Sequence, residues 1–129
     1  MEKIVVSIQN GLLAEAISKI LMESGDFQPF QLPVDGKGND VAENCMIFHA
    51  DILLAEVSYA ASTGVKTRLQ EAKEVRQKVP GCKIVFLCDE NSSPDIAREV
   101  MLAKKDGQIN AFFYSSVTAK YLLAALASL

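Results

Sequence analysis

Histidine is nearly absent. His49 is the single one in 129 residues, and it reads as an ordinary surface or helix-end residue. The hydroxyl pairs Ser62-Thr63 and Ser92-Ser93 therefore have no imidazole close enough in sequence to suggest a nucleophilic triad, and they read as turn and cap residues. Cysteine is scarce and scattered. Cys45, Cys82 and Cys88 form no C-x-x-C pair, and an odd count in apolar surroundings fits reduced thiols in a cytosol. An excess of basic charge is missing: Lys and Arg number 13 against 16 Asp and Glu, for a net charge of −3. That leaves no case for a nucleic-acid footprint. Long apolar runs are missing too. The N-terminal one stops at Ile8, too short for a signal peptide or a membrane span. Repeats, low-complexity tracts and linkers are absent. With half its residues hydrophobic and 22% charged, the chain is expected to be one globular domain over 1–129, soluble and cytoplasmic, with neither a membrane nor a nucleic acid as partner.

What is present is an alternation of two periodicities. Lys3 to Ile8 is a β-branched strand that ends at Asn10-Gly11. Leu13, Ile17, Ile20 and Leu21 make one helical stripe, closed by Gly25. Phe27 to Leu32 is a short strand placed at an edge by Pro29. Pro33 to Asp40 is a loop by composition, and Val41 to His49 a short helix capped by Asn39 or Asp40. In Asp51 to Val57 an uninterrupted apolar run ends in one acid, Glu56, as a central strand covered on both faces would. After the loop Ser58 to Gly64, Val65, Leu69, Ala72, Val75 and Val79 mark a helix. Its other face carries Lys66, Arg68, Glu71, Lys73, Glu74 and Lys78, which reads as a solvated charge run with Glu74 and Lys78 as an i,i+4 pair. Pro80-Gly81 stops it. Cys82 to Cys88 is a second buried strand. Ser93-Pro94-Asp95 opens a helix that Gly107 ends. Ile109 to Tyr114 is the last strand, and Ser116 caps a last helix packing Leu122, Ala125, Leu126 and Leu129. Five βα units predict an α/β, flavodoxin-like three-layer sandwich with a parallel sheet of order 2-1-3-4-5. The ends of the first, third and fourth strands then surround one pocket. Its first loop, Gln9 to Leu13, has one Gly and no hydroxyl, Cys or His. It is a weak cradle for a flavin or nucleotide phosphate, and no cofactor or metal is expected.

With this order of elements the chain resembles a receiver domain of two-component signalling over its whole length. D-I-L-L-A-E-V resembles the family's D-x-x-x-x-D strand, whose last Asp accepts a phosphoryl group. Gly64 matches the Gly that often opens the following helix, and A-F-F-Y-S-S-V-T-A-K-Y-L-L the last strand and closing helix. The resemblance puts Glu56 at the acceptor position. It puts Ile8 and Gln9, or Gln9 and Asn10, where two Mg²⁺-binding acids stand, and neither pair supplies the carboxylates a hard cation prefers. Cys88 falls at the Ser/Thr position, Tyr114 and Ser115 at the Lys-Pro pair, and Ala111 at the aromatic switch. The segment from Cys88 to Tyr114 is longer than the family's by about one helical turn.

The resemblance with these departures implies a pseudo-receiver: a non-enzymatic module that keeps the fold, has lost the phosphorylation chemistry and acts through a protein partner. The alternative is a small-molecule-binding or enzymatic flavodoxin-like domain using the same pocket edge. The pocket's poverty in Lys, Arg, His and Gly favours the first. Receiver domains commonly associate through their last two helices and the strand between them. Here Ala97 and Met101 form a second apolar row on the fourth helix, and Tyr121 and Ala124 lie off the core stripe of the fifth, which makes them candidates for a homodimer or partner face.

Overall fold

The computed structural model describes residues 1–33, 40–58, 63–88 and 94–129. Ten elements alternate: β1 (Glu2–Ser7), α1 (Gly11–Ser24), β2 (Phe27–Gln31), α2 (Val41–Ile47), β3 (Ile52–Val57), α3 (Val65–Lys78), β4 (Lys83–Cys88), α4 (Pro94–Lys105), β5 (Ala111–Tyr114) and α5 (Ala119–Ala127). All strand pairs are parallel and the sheet order is β2-β1-β3-β4-β5. Pro29 lies in the edge strand β2, opposite Ile4, where a missing N–H is tolerated.

The period-2 alternation of the buried strands sorts the core into two layers. Val5, Leu53, Ala55, Val57, Ile84, Phe86 and Cys88 face one side, packed under α2, α3 and α4. Ile4, Val6, Ile8, Ile52, Leu54, Val85 and Leu87 face the other, under α1 and α5. Local chemistry sets the boundaries. Asn10 caps α1 by accepting from the Leu13 N–H, and Gly25 ends it at φ 77° with its N–H on the Met22 carbonyl. Asp40 caps α2 through the Glu43 N–H. Gly107, at φ 78°, turns the chain after α4. Among the described residues no helix is long and apolar enough to cross a membrane.

Four expectations need correction or fall outside the description. The cap of α5 is Thr118, which accepts from the Tyr121 N–H, and not Ser116. This shifts the helix by about half a turn and leaves Leu129 exposed (39%), with Leu122 and Leu126 fully buried and Leu123 packed beside them. Arg68 is not on a solvated face: only 4% of it is exposed. The ion pairs among the described residues are Lys19–Glu23 and Arg68–Glu71, and Glu74 accepts from Gln70 at 3.5 Å. The expected caps Asn39 and Ser93, the pair Ser92-Ser93, and Ser62 lie outside the described residues.

Candidate functional site

The C-terminal edge of the sheet is built where β1, β3 and β4 end side by side, in the register Ser7 against Ala55 and Val57 against Cys88. Glu56 is the penultimate residue of β3 and half-buried. A carboxylate there needs a donor. It has one: the Gln9 backbone N–H donates to Glu56 Oε1 at 3.0 Å. The bond ties the loop after β1 to the end of β3.

The second tie comes from α3. Arg68 reaches under the strand ends with its side chain almost wholly buried. Its Nε donates to the Glu56 carbonyl at 2.7 Å. One terminal nitrogen donates to Ser7 Oγ at 2.8 Å and to Glu71 Oε1 at 3.1 Å. The other donates to the Ser7 carbonyl at 2.8 Å. The planar guanidinium thus bridges β1 and β3, a geometry that its fork of donors allows and a lysine could not copy. Partial burial pushes the Glu71 carboxyl up from its ordinary range, and the neighbouring Arg68 opposes that shift. A third tie closes the next loop: the Ser58 N–H donates to the Thr63 carbonyl at 2.9 Å, and their hydroxyls hydrogen-bond each other.

The other positions singled out by the resemblance lie around this rim without joining it. Ile8 is buried in the layer under α1. The Asn10 side chain is spent on its cap, at 3.2 Å from the Leu13 nitrogen. Gln9 contributes its backbone N–H. Cys88 is buried with Val57 in the layer under α3 and α4, the opposite face from Leu87, the register partner of Glu56. Burial alone pushes the Cys88 thiol up to about 11, so it is an inert thiol near neutral pH. Tyr114 ends β5 beside Cys88 and is 39% exposed. Its ring sits edge-on to Phe112, with centroids 6.1 Å apart. Among the described residues no three His, Cys, Asp or Glu side chains come together in a way that could hold a metal ion. Nor does a buried side-chain nitrogen or oxygen lack a partner.

Sequence reasoning missed Arg68, and the signal was there. The buried residues of α3 are Val65, Arg68, Ala72 and Val75, an i, i+3, i+7, i+10 stripe with a guanidinium inside it. The cysteines also read differently in space. Cys45 of α2 and Cys82 before β4 share one buried layer, and the neighbouring Cys82 thiol together with burial pushes the Cys45 thiol up.

The residues singled out as a candidate partner face lie on α4 and α5. Ile96, Val100 and Ala103 of α4 are buried. Ala97 is half-buried and Ala124 exposed, while Met101 and Tyr121 are 55% and 62% exposed. Tyr121 stands edge-on to Phe113 at 6.2 Å, which holds its ring against the end of the sheet.

No protein-family model and no curated protein matches the chain. Solved structures do. A LuxR-family DNA-binding response regulator from Staphylococcus aureus superposes with a TM-score of 0.75 at 12% identity, over 99% of this chain and 98% of that one. The chemotaxis protein CheY4 of Vibrio cholerae gives 0.72 at 16%, over 99% and 98%. A putative pilus assembly-related protein from Burkholderia pseudomallei gives 0.69 at 13%, over 99% and 88%. The chain has the CheY-like receiver fold.

Proposed function

We propose that this chain is a signalling module of the receiver type that works without phosphorylation, by presenting a fixed surface to a protein partner. One observation carries the reading. The rim where a receiver's chemistry would sit is occupied by the chain's own donors: the Gln9 N–H on the Glu56 carboxylate and the buried Arg68 fork on Ser7 and Glu56. Phosphoryl transfer needs a metal and a cation placed to neutralise charge developing on the transferred group. The positions that the resemblance assigns to those parts hold Ile8 and Gln9, or Gln9 and Asn10, and Tyr114, none of which supplies either. Arg68 is cationic, but it is buried, and four of its five N–H groups donate to Ser7, Glu56 and Glu71.

On this reading the Glu56 side chain stands at the acceptor position, held in one orientation by the Gln9 N–H. The module has one state, and its partner reads the surface rather than a switch. The face formed by α4, β5 and α5 suits that role, with Met101 and Tyr121 as exposed anchors beside the small Ala97 and Ala124. A two-fold pairing of this face with itself would give a homodimer. The similar solved structures include a DNA-binding regulator and a pilus assembly-related protein, so the fold leaves the pathway open. The test is direct. Incubate the protein with acetyl phosphate and Mg²⁺ and measure the intact mass. An unchanged mass is expected, and stoichiometric phosphoryl addition at Glu56 would overturn the reading.

A further inference from the structure

Away from the sheet edge, the outer face of α3 bounds a groove of about 530 Å³. One stripe of the helix builds its wall: Lys66, Leu69, Gln70, Lys73, Arg76 and Gln77, at i, i+3, i+4, i+7, i+10 and i+11. Gln108, beyond α4, also lines it. We propose that this groove docks an acidic, extended peptide segment of a protein partner.

Charge makes the first argument. Among the described residues the lining holds three cations, three amides and no carboxylate, in a chain whose net charge is −3. The acids on the same helix are turned to other work: Glu71 pairs with Arg68, and Glu74 accepts from Gln70. Shape makes the second. Arg76 is pinned as a wall, donating to the Gly107 carbonyl and, at 3.3 Å, to Asn110 Oδ1. Lys66 and Lys73 remain exposed. From Lys66 to Gln77 the helix rises roughly 16 Å, the length of about five residues of extended chain.

The donor set separates a peptide from a small phosphate. A phosphate site uses free backbone N–H groups or an open arginine fork. From Gln70 onward this wall is mid-helix, with its N–H groups committed to the helix, and the Arg76 fork is already engaged. Two exposed lysines suit separate carboxylates. The amides of Gln77 and Gln108, each donor and acceptor, and the Gln70 carbonyl oxygen suit peptide N–H and C=O groups, and the half-buried Leu69 offers an apolar floor for a side chain between the acids.

The test uses the isotope-labelled protein and a capped Glu-Leu-Glu-Leu-Glu peptide at low salt. Saturable NMR shifts confined to α3 and Gln108 are expected. The matching Gln-Leu-Gln-Leu-Gln peptide should give none. The double variant Lys66→Gln/Lys73→Gln, exposed positions that leave the core alone, should weaken binding by about tenfold or more. No saturable shifts, shifts centred elsewhere, undiminished binding by the double variant, or equally tight binding of inorganic tripolyphosphate would each overturn the proposal. Phosphodonor labelling reads a different edge of the molecule, so either claim can fail alone.

Discussion

Replacing Arg68 by Met keeps most of the buried volume and removes the charge and every donor. Four acceptors lose their partner: the carbonyls of Ser7 and Glu56, Ser7 Oγ and the Glu71 carboxylate. The hydroxyl can turn, and Glu71, with 23% of its side chain exposed, can reach water. The two carbonyls cannot move without pulling the strands. At about 1–3 kcal/mol for each stranded buried acceptor, the two carbonyls lose roughly 2–6 kcal/mol, a range that spans the loss of about 3–5 kcal/mol seen when one half of a buried ion pair is removed. Against a total of about 6–19 kcal/mol for a chain this long, that is a large fraction. It should lower the melting temperature by roughly 10–20 °C. Urea denaturation followed by circular dichroism measures it. Two companions separate causes. Arg68→Lys keeps the charge without the fork and should fall between wild type and Met. Arg68→Met/Glu71→Leu removes both charges and should recover part of the loss. The deficit of Arg68→Met should also depend on pH. Burial already raises the Glu71 carboxyl, and losing Arg68 removes the influence that lowers it. A carboxyl raised in the fold favours folding in its protonated form and loses that contribution as pH rises, so the deficit should be larger near about pH 8 than about pH 5. A loss below about 1 kcal/mol, the range of surface changes, would refute the view that Arg68 ties the strand ends together.

Cys88 gives a second pH dependence. Its thiol is raised from 9.0 to about 11 by burial, so the unfolded chain releases this proton first. Its contribution should be intact below pH 9 and fall away between 9 and 11, by up to about 2–3 kcal/mol. Cys88→Ala should remove that component from the difference between the two stability–pH curves, and an unaltered alkaline slope in the variant would contradict it. On the partner face, sedimentation at micromolar concentration should show a dimer, and Tyr121→Glu should convert it to monomer with an unchanged circular dichroism spectrum. A wild type monomeric at high concentration removes the homodimer and leaves only a different partner.

The sheet order and the ten elements were legible because each strand that fills the interior is an apolar run and each helix carries one stripe. Asn10, Asp40, Gly25 and Gly107 then mark ends by chemistry that acts over a few residues. Glu56 was legible as a polar strand end at the carboxyl edge of the sheet. Its donor proved to be the Gln9 backbone, which no side-chain pattern encodes. Arg68 was misread because a charge between Lys66 and Glu71 looks like solvent-facing surface. Only its acceptors, 12 and 61 residues away in sequence, make its burial tolerable. The meeting of Cys45 with Cys82 was hidden for the same reason. The end of the chain was misplaced because Ser116 and Thr118 are chemically equivalent caps, and the packing of Leu122 and Leu126 decides between them.

The central claim is that the chain's own donors keep the strand-end rim in one state. The most direct measurement follows the Gln9 backbone N–H and the Arg68 Nε–H by ¹H–¹⁵N NMR as Mg²⁺ and then acetyl phosphate are added. Both signals should hold their positions, and the Arg68 Nε–H should stay protected from exchange with water. Displacement of the two together, accompanied by signals from the ends of β4 and β5, would show a working phosphorylation switch and contradict the claim.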